Sequence, residues 1–408
     1  MVPPSREPGS DARLDGVRLF SLRHDRLLPG DVVLMRNRFA RSAKGSKRSG
    51  AIALLTRGRF SHAAICTILP TAIEATPDGV ANFTLASTYF HDVRNVRVLR
   101  YPDRRVAARA AEKASGFLGM GYSVPLAIRS VLPGLAAPAV PHPATFCSAL
   151  VAAAFVASGA PEFARRNPYR IHPAALERMT FFDDVTAGAT REFLVHENIE
   201  DMNALDGDRR RSFLAAHTPA YGRIHDAVAD DLRRLIDVHR LKTTPPNSFF
   251  ESFLLIIGNI NYCLGRPEIE IDPFRSDVLA IDAKFHRMMV EGGLERSLDV
   301  AVDADADRMR GLSFRAQLAE PGVDLDDLEA LLLNSYVQCE ARLEAIDPPR
   351  CLAGASASWD LWESMGRRSV EAIEERCAII EAALNRMAPE RLAMVRARRA
   401  EGDAGGRD

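Results

Sequence analysis

The sequence lacks closely spaced cysteine pairs. Its six cysteines are scattered, and no two form a CxxC motif: Cys66, Cys147, Cys263, Cys339, Cys351 and Cys377. Zinc ribbons and the disulfide frameworks of small secreted domains are built from such pairs or from dense clusters. The pattern therefore argues against both classes and fits a reducing compartment.

An excess of charge, a long apolar run and a leader sequence are also missing. The 53 Lys and Arg are balanced by 54 Asp and Glu, and the formal net charge is −1, so the chain as a whole makes no electrostatic case for binding nucleic acid or a membrane. No apolar run approaches the ~20 residues of a membrane-spanning helix. The polar start MVPPSREPGSDARLDG is unlike a signal sequence, and we therefore predict a cytoplasmic protein.

Motifs for cofactors and metals do not occur. There is no GxxxxGK[ST] phosphate loop and no HExxH, and GMG at 119–121 lacks the remaining glycine of a dinucleotide loop. The acidic stretch DVAVDADADR (299–308) lacks the glycine and the terminal glutamate of a calcium loop. The sequence predicts no cofactor and no metal.

The composition and the predicted secondary structure of the chain change about half-way along its length. Residues 1–20 and 401–408 are rich in Pro, Gly, Ser and charge, which predicts disordered tails. Residues 21–199 mix strand-like and helical runs without strict alternation, which predicts an α+β domain. Residues 200–400 form amphipathic helical segments separated by Gly and Pro, which predicts an α-helical bundle whose role and protein partner the sequence leaves open.

Local patterns predict individual elements within this plan. Strands are expected at 31–35, 61–69, 72–76 and 95–101, and helices at 49–58, 103–119 and 147–159. Large aromatic residues and most cysteines lie on apolar segments and are expected in the core, namely Phe249, Phe250, Phe253, Trp359, Trp362, Cys66, Cys263, Cys339 and Cys377.

Cys147 differs from the other cysteines in its position. Pro138, Pro141 and Pro143 stop any preceding helix, and the apolar run CSALVAAAFVASG predicts that a helix begins at or near Cys147. A thiol in the first turn of a helix lies at the positive end of the helix dipole, close to unpaired N–H groups, and both favour the nucleophilic thiolate. We predict a nucleophile at Cys147, with a core cysteine as the alternative.

Two further residues complete a candidate catalytic group. His62 begins the alternating run SHAAICTIL, and an imidazole on a strand can serve as the base for a thiol on a helix. Glu74 on the next strand is the candidate that orients the imidazole, with Asp78 as the alternative. A tight turn centred near Pro70 would set Glu74 opposite Cys66, so we expect a bulge or bend that brings Glu74 to His62.

The order of these motifs resembles the permuted papain-like amidases, which are relatives of the NlpC-type thiol peptidases and of the lecithin:retinol acyltransferase group. The matching segments are LLPGDVVLM, SHAAI, IEATPDGV, GFLGMGYS, FCSALVAAAFVASG and IHPAALERMTFF, over roughly residues 22–190. The resemblance implies a permuted papain-like α+β domain with a small antiparallel sheet. As in the permuted branch, the histidine strand precedes the cysteine helix.

The family's motif positions match this sequence individually. The family's Gly-Asp strand opener corresponds to Gly30 and Asp31, and its Ser-His pair to Ser61 and His62. Its third polar residue corresponds to Glu74, and its Cys-Ser pair to Cys147 and Ser148. Its Pro-x-x-Leu element corresponds to Pro173 and Leu176. Ala149 stands where relatives often have Glu. The resemblance thus implies a catalytic triad of Cys147, His62 and Glu74.

This triad predicts acyl chemistry through an acyl-enzyme. We expect a hydrolase, an amidase or cysteine peptidase, that acts on a small amide, a short peptide or an acylated protein. An acyltransferase or phospholipase acting on lipid or acyl substrates is one alternative. A non-enzymatic scaffold whose helical bundle binds a partner protein is the other.

Two stretches bear on the substrate. No acidic residue occurs between Asp31 and Glu74, but eight basic residues do: Arg36, Arg38, Arg41, Lys44, Lys47, Arg48, Arg57 and Arg59. This stretch predicts either a positively charged rim that favours an anionic substrate or an anionic lipid surface, or a solvated loop. The apolar segment 122–140 is either a lip for an acyl chain or packing, and its Tyr122 is a candidate hydrogen-bond donor to an oxyanion.

Overall fold

The computed structural model describes residues 16–36, 58–77, 79–85, 88–130, 144–195, 204–205, 208–209, 218–266, 273–317, 325–346, 352 and 354–405. Its strands are β1 (Arg18–Leu22), β2 (Val32–Met35), β3 (His62–Cys66), β4 (Thr71–Thr76), β5 (Gly79–Thr84), β6 (Thr88–Phe90), β7 (Val96–Arg100), β8 (Gly121–Tyr122), β9 (Ala144–Thr145), β10 (Asp183–Asp184), β11 (Thr190–Leu194), β12 (Ala204–Leu205) and β13 (Asp208–Arg209).

The helices follow the same chain order. They are α1 (Arg104–Ser115), α2 (Val124–Arg129), α3 (Cys147–Ala157), α4 (Pro173–Glu177), α5 (Thr186–Ala189), α6 (Thr218–His239), α7 (Phe249–Leu264), α8 (Pro273–Glu291), α9 (Leu294–Gln317), α10 (Leu325–Ile346), α11 (Ala357–Met387) and α12 (Pro389–Gly405). The chain is therefore mixed α+β.

A six-stranded sheet in the order β10-β7-β2-β3-β4-β5 forms the centre of the first part, and every neighbouring pair in it is antiparallel. Strands β2 and β3 are buried along their whole length because both faces of the sheet are covered. Val32 and Leu34 pack into the cluster that contains α3, whereas Val33 and Met35 pack into a second cluster. This two-sided burial explains why the DVVLM segment is continuously apolar.

Helix α3 is the central helix of this part. It packs on β3 and β4 and also against α1. The contact with α1 is made by small side chains, because Ala107, Ala110 and Ala114 are each fully buried there. Burial on nearly all sides accounts for the apolar character of α3.

The Gly-Asp opener of β2 connects this strand to α1 and to the neighbouring strand β7. Gly30 has φ +85°, and a Cβ atom at this position would lie 2.3 Å from the carbonyl oxygen of Ala107, so only glycine allows this approach. The fully buried Asp31 accepts hydrogen bonds of 2.9 and 2.7 Å from Arg100 on β7. Both residues precede β2, whereas His62 pairs with Met35 at its far end. Gly30 and Asp31 therefore support the fold at a distance from His62.

A second sheet, in the order β11-β1-β6-β12-β13, changes two of the boundaries that the sequence predicts, and helix α12 changes a third. Residues 18–20 belong to β1 rather than to a tail, and they pair with β11. Residues 204–205 pair with β6, so the sheet-containing part extends beyond residue 199. Residues 401–405 continue α12 rather than forming a tail.

Helices α6 to α12 form the second part around two apolar clusters. The first contains Phe249, Phe253, Trp359 and Cys263, with Phe250 and Trp362 packed against it, and the second contains Cys339 and Cys377. These placements agree with the core positions expected for the same side chains. None of the described helices has both the length and the apolar composition needed to cross a membrane.

Polar contacts join the two parts. Arg191 on β11 forms an ion pair with Asp327 on α10. The side-chain amide of Gln338 on α10 donates to the carbonyl oxygens of Ile68 and Leu69, at 3.2 and 3.3 Å. Helix α10 therefore contacts the turn between β3 and β4.

Candidate active site

Cys147 is the first residue of α3, where the sequence analysis expects a helix to begin. The preceding residue, Phe146, is extended, so the chain changes from strand to helix at the thiol. The sulfur accepts hydrogen bonds from the backbone N–H groups of Ser148 and Ala63 and from the side chain of His62. These three donors surround a sulfur whose residue is only 6% exposed.

His62 and Glu74 form the second contact of the site. The distance between His62 Nε2 and Glu74 Oε2 is 2.5 Å, and both side chains are buried. Because Nε2 is engaged by the carboxylate, Nδ1 is the ring nitrogen that can serve Cys147. A carboxylate behind an imidazole fixes its tautomer and stabilises its protonated form.

The pairing of β3 with β4 explains how Glu74 reaches the ring. Glu74 pairs with Ala64, not with Cys66 as a turn centred near Pro70 would require. The turn closes through the N–H of Thr67 and the carbonyl oxygen of Thr71, and this shifts the register by two residues. Glu74 is therefore a diagonal neighbour of His62 on the same face of the hairpin, and the ladder needs no bulge. Asp78, the alternative, lies outside the described residues.

The pKa of Cys147 reflects two opposing effects. Burial of the thiol raises the pKa, but the hydrogen bond and charge of His62 lower it, together with the N–H groups of Ala63 and Ser148. The net direction is downward, so Cys147 carries more thiolate at neutral pH than an ordinary cysteine does. Burial raises the pKa of Cys66, Cys339 and Cys377 instead.

Tyr122 is brought to this end of α3 because β8 and β9 form a short parallel pair. In this pair Tyr122 is opposite Thr145, which precedes Cys147 by two residues. The pKa of the phenol is raised by burial and by the charge of Cys147. Tyr122 is therefore a neutral hydroxyl donor that interacts electrostatically with Cys147.

The remaining motif residues support the start of α3. The hydroxyl of Ser148 donates to the carbonyl oxygen of Ile171 at 2.9 Å, just before α4. Leu176 of α4 is fully buried. Ala149 is also fully buried, and it packs in a cluster with Phe146 and Leu126. This apolar surrounding explains why a small side chain stands at position 149.

Two residues of the basic stretch belong to the described part of the chain. Arg36 and Arg59 are exposed, and the other six positions lie outside the described residues: Arg38, Arg41, Lys44, Lys47, Arg48 and Arg57. The predicted helix at 49–58 also falls there except for Gly58, which is not helical. In the apolar segment, residues 124–129 form α2, whereas residues 131–140 are not described.

The backbone donors and Tyr122 are the parts of the site with the weakest sequence signal. The backbone N–H of Ala63 donates to the sulfur because of where its strand lies, and the identity of residue 63 does not indicate this.

Within the described part of the chain, no three His, Cys, Asp or Glu side chains converge in a way that could hold a metal ion. Comparison of the chain with protein-family models, curated proteins and solved structures finds no match.

Proposed function

We propose that this protein is a cysteine-dependent hydrolase, an amidase or peptidase, in which Cys147, His62 and Glu74 act as a triad. The observation that carries the proposal is the chain of contacts from the thiol to His62 and from His62 to Glu74. Nucleophile, base and orienting carboxylate are each in contact with the next member, which is the arrangement that covalent acyl transfer requires.

The reaction begins when the Cys147 thiolate attacks the carbonyl carbon of an amide. A carbon–sulfur bond forms, and the π electrons of the carbonyl move to its oxygen. His62 then gives its proton to the leaving amine as the carbon–nitrogen bond breaks, which leaves an acyl-enzyme. In the second half, His62 takes a proton from water, the hydroxide attacks the acyl carbon, and the thiolate leaves.

The developing oxyanion needs donors on the side of the carbonyl away from the base. Tyr122 is suited to this because its raised pKa keeps the hydroxyl protonated. The first N–H groups of a helix have no partner within the helix, and α3 begins at the nucleophile. A hydroxyl and a helix N-terminus together favour negative charge on the oxygen.

A permuted papain-like fold is part of the same proposal. The strand that carries His62 precedes the helix that carries Cys147 in the chain, and α3 packs directly on that strand. The six-stranded antiparallel sheet supplies the base and its carboxylate from neighbouring strands. The order and the packing both support the resemblance that the sequence motifs carry.

Trapping the acyl-enzyme tests the proposal. Incubation with p-nitrophenyl acetate, followed by intact-mass and peptide analysis, should detect one acetyl group on Cys147. The adduct should be absent from Cys147→Ser and should form normally in the matched variant Cys66→Ser. An adduct that is distributed over several residues, or no adduct at all, would contradict the proposal.

A further inference from the structure

A cavity of about 330 Å³ lies between the sheet part and the helical part. Its walls come from the turn between β3 and β4, from β5, and from helices α10 and α11. This volume is at the lower end of the range of small-molecule sites, about 300–1,000 Å³. His62, Glu74 and Cys147 are not among its lining residues, so the cavity is separate from the candidate active site.

The lining is positively charged and rich in hydrogen-bonding groups. Two arginines line the cavity, Arg342 and Arg376, and the described lining includes no Asp or Glu. Neutral polar side chains line the same cavity, among them Asn82, Thr84 and Gln338. Guanidinium groups with neutral donors around them form a binding surface suited to phosphate or carboxylate.

The charge of Arg342 is not balanced within the described part of the chain. No hydrogen bond and no ion pair joins its guanidinium to another described residue, and burial lowers its pKa. The titratable group that interacts with it is Tyr221, and burial raises the pKa of that phenol to about 12. Tyr221 is thus neutral at physiological pH. A partly buried cation without a carboxylate partner is unfavourable, and a bound anion would offset this cost.

Arg376 is fixed in place before any ligand binds. Its residue is 8% exposed, and its guanidinium donates to the side-chain oxygen of Gln338. The amide of Gln338 in turn donates to the carbonyl oxygens of Ile68 and Leu69. Arg376 is therefore held, through Gln338, at the β3–β4 turn, whereas the charge of Arg342 has no such partner among the described residues.

We propose that this cavity binds a small molecule that carries a phosphate or carboxylate group, with Arg342 as the main ligand-binding residue. Occupancy would connect the β3–β4 turn with α10 and α11. The site does not depend on the proposed hydrolase activity, since Thr67, where the turn begins, lies about 16 Å from His62 along β3.

Isothermal titration calorimetry on the full chain tests this inference, with pyrophosphate and citrate as separate probes. We expect saturable binding of at least one probe, and the preferred probe shows whether phosphate or carboxylate is recognised. Arg342→Met should weaken binding about tenfold or more, because it removes a charged hydrogen-bond donor. Arg386→Gln, which neutralises an exposed arginine on α11, should bind as the unchanged chain does.

A second variant makes the result independent of how well Arg342→Met folds. Ala372 lines the cavity, and Ala372→Phe should block it while both arginines are kept. Loss of binding in this variant supports the site. If neither probe binds the unchanged chain, or if Ala372→Phe or a folded Arg342→Met binds as well as Arg386→Gln, the inference is wrong.

Discussion

Cys147 and Cys66 lie beside opposite ends of strand β3, and both are almost completely buried, at 6% and 0% exposure. Their pKa values nevertheless move in opposite directions. Burial raises the pKa of Cys66 well above its ordinary value, and the charge of Asp31 raises it further. At Cys147 burial acts in the same direction, but His62 and two backbone N–H groups outweigh it.

The difference shows that exposure alone does not separate a reactive cysteine from a structural one. The partner of the sulfur decides the outcome: an imidazole held by a carboxylate at one end of the strand, and an apolar cluster with a nearby carboxylate at the other. The comparison therefore predicts that changes around Cys147 alter chemistry, whereas changes around Cys66 alter stability.

The largest effect is expected from exchanging the cysteines themselves. Cys147→Ala should lower amide or ester hydrolysis by at least about 10⁴-fold, because the nucleophile is lost. Cys66→Ala should leave turnover nearly unchanged. Steady-state assays on both variants make the comparison, and equal activities would remove the basis for a special role of Cys147.

Glu74→Gln should have the next largest effect. Loss of the carboxylate leaves His62 without the group that holds its tautomer and stabilises its charge, and kcat should fall about 10²- to 10⁴-fold. Glu192→Gln, on the exposed side of β11, is a matched control and should retain full kcat. A Glu74→Gln enzyme as active as this control would show that Glu74 does not orient the base.

Tyr122→Phe should lower kcat about 10²-fold with little change in KM, because the hydroxyl acts on the transition state rather than on the bound substrate. Alkylation of Cys147 should be unaffected, since the thiolate depends on His62. Tyr101→Phe removes a phenol that bonds Glu162 and serves as the control. A change in KM alone would assign Tyr122 to substrate binding.

The smallest effect on catalysis is expected from Asp31→Asn. This substitution leaves Arg100 without its buried partner, so the free energy of unfolding should fall by about 3 kcal/mol. The activity per folded molecule should be retained, because Asp31 lies at the end of β2 away from His62. Urea unfolding and turnover at low temperature measure the two quantities, and loss of activity in a fully folded variant would contradict the separation.

The sequence predicts the elements of the site better than their contacts. The start of α3 at Cys147 and the strand at His62 agree with the structure, because prolines and apolar periodicity act locally. The register of Glu74 differs from the expected one, since the turn closes between Thr67 and Thr71 rather than around Pro70. Turn closure is a small local change that moves every later residue of the hairpin.

Tertiary contacts account for the rest. The sequence suggests Tyr122 as an oxyanion donor but does not show that Tyr122 pairs with Thr145, two residues before Cys147. The sequence predicts that residues 204–205 belong to the helical bundle, whereas in the structure they pair with β6. The sequence alone does not show that Arg342 lines a cavity between the sheet part and the helical part. Each of these depends on residues far apart in sequence.

The pH dependence of Cys147 alkylation tests the central claim most directly. The rate of iodoacetamide labelling, followed by peptide mass mapping, reports the thiolate fraction at each pH. We predict a midpoint below about 8.5, the value of an ordinary thiol, with fast labelling that is lost as the pH falls through this midpoint. In His62→Ala the midpoint should move upward, because burial still acts while the imidazole is gone. A midpoint at or above the ordinary value that is the same in both proteins would contradict the account.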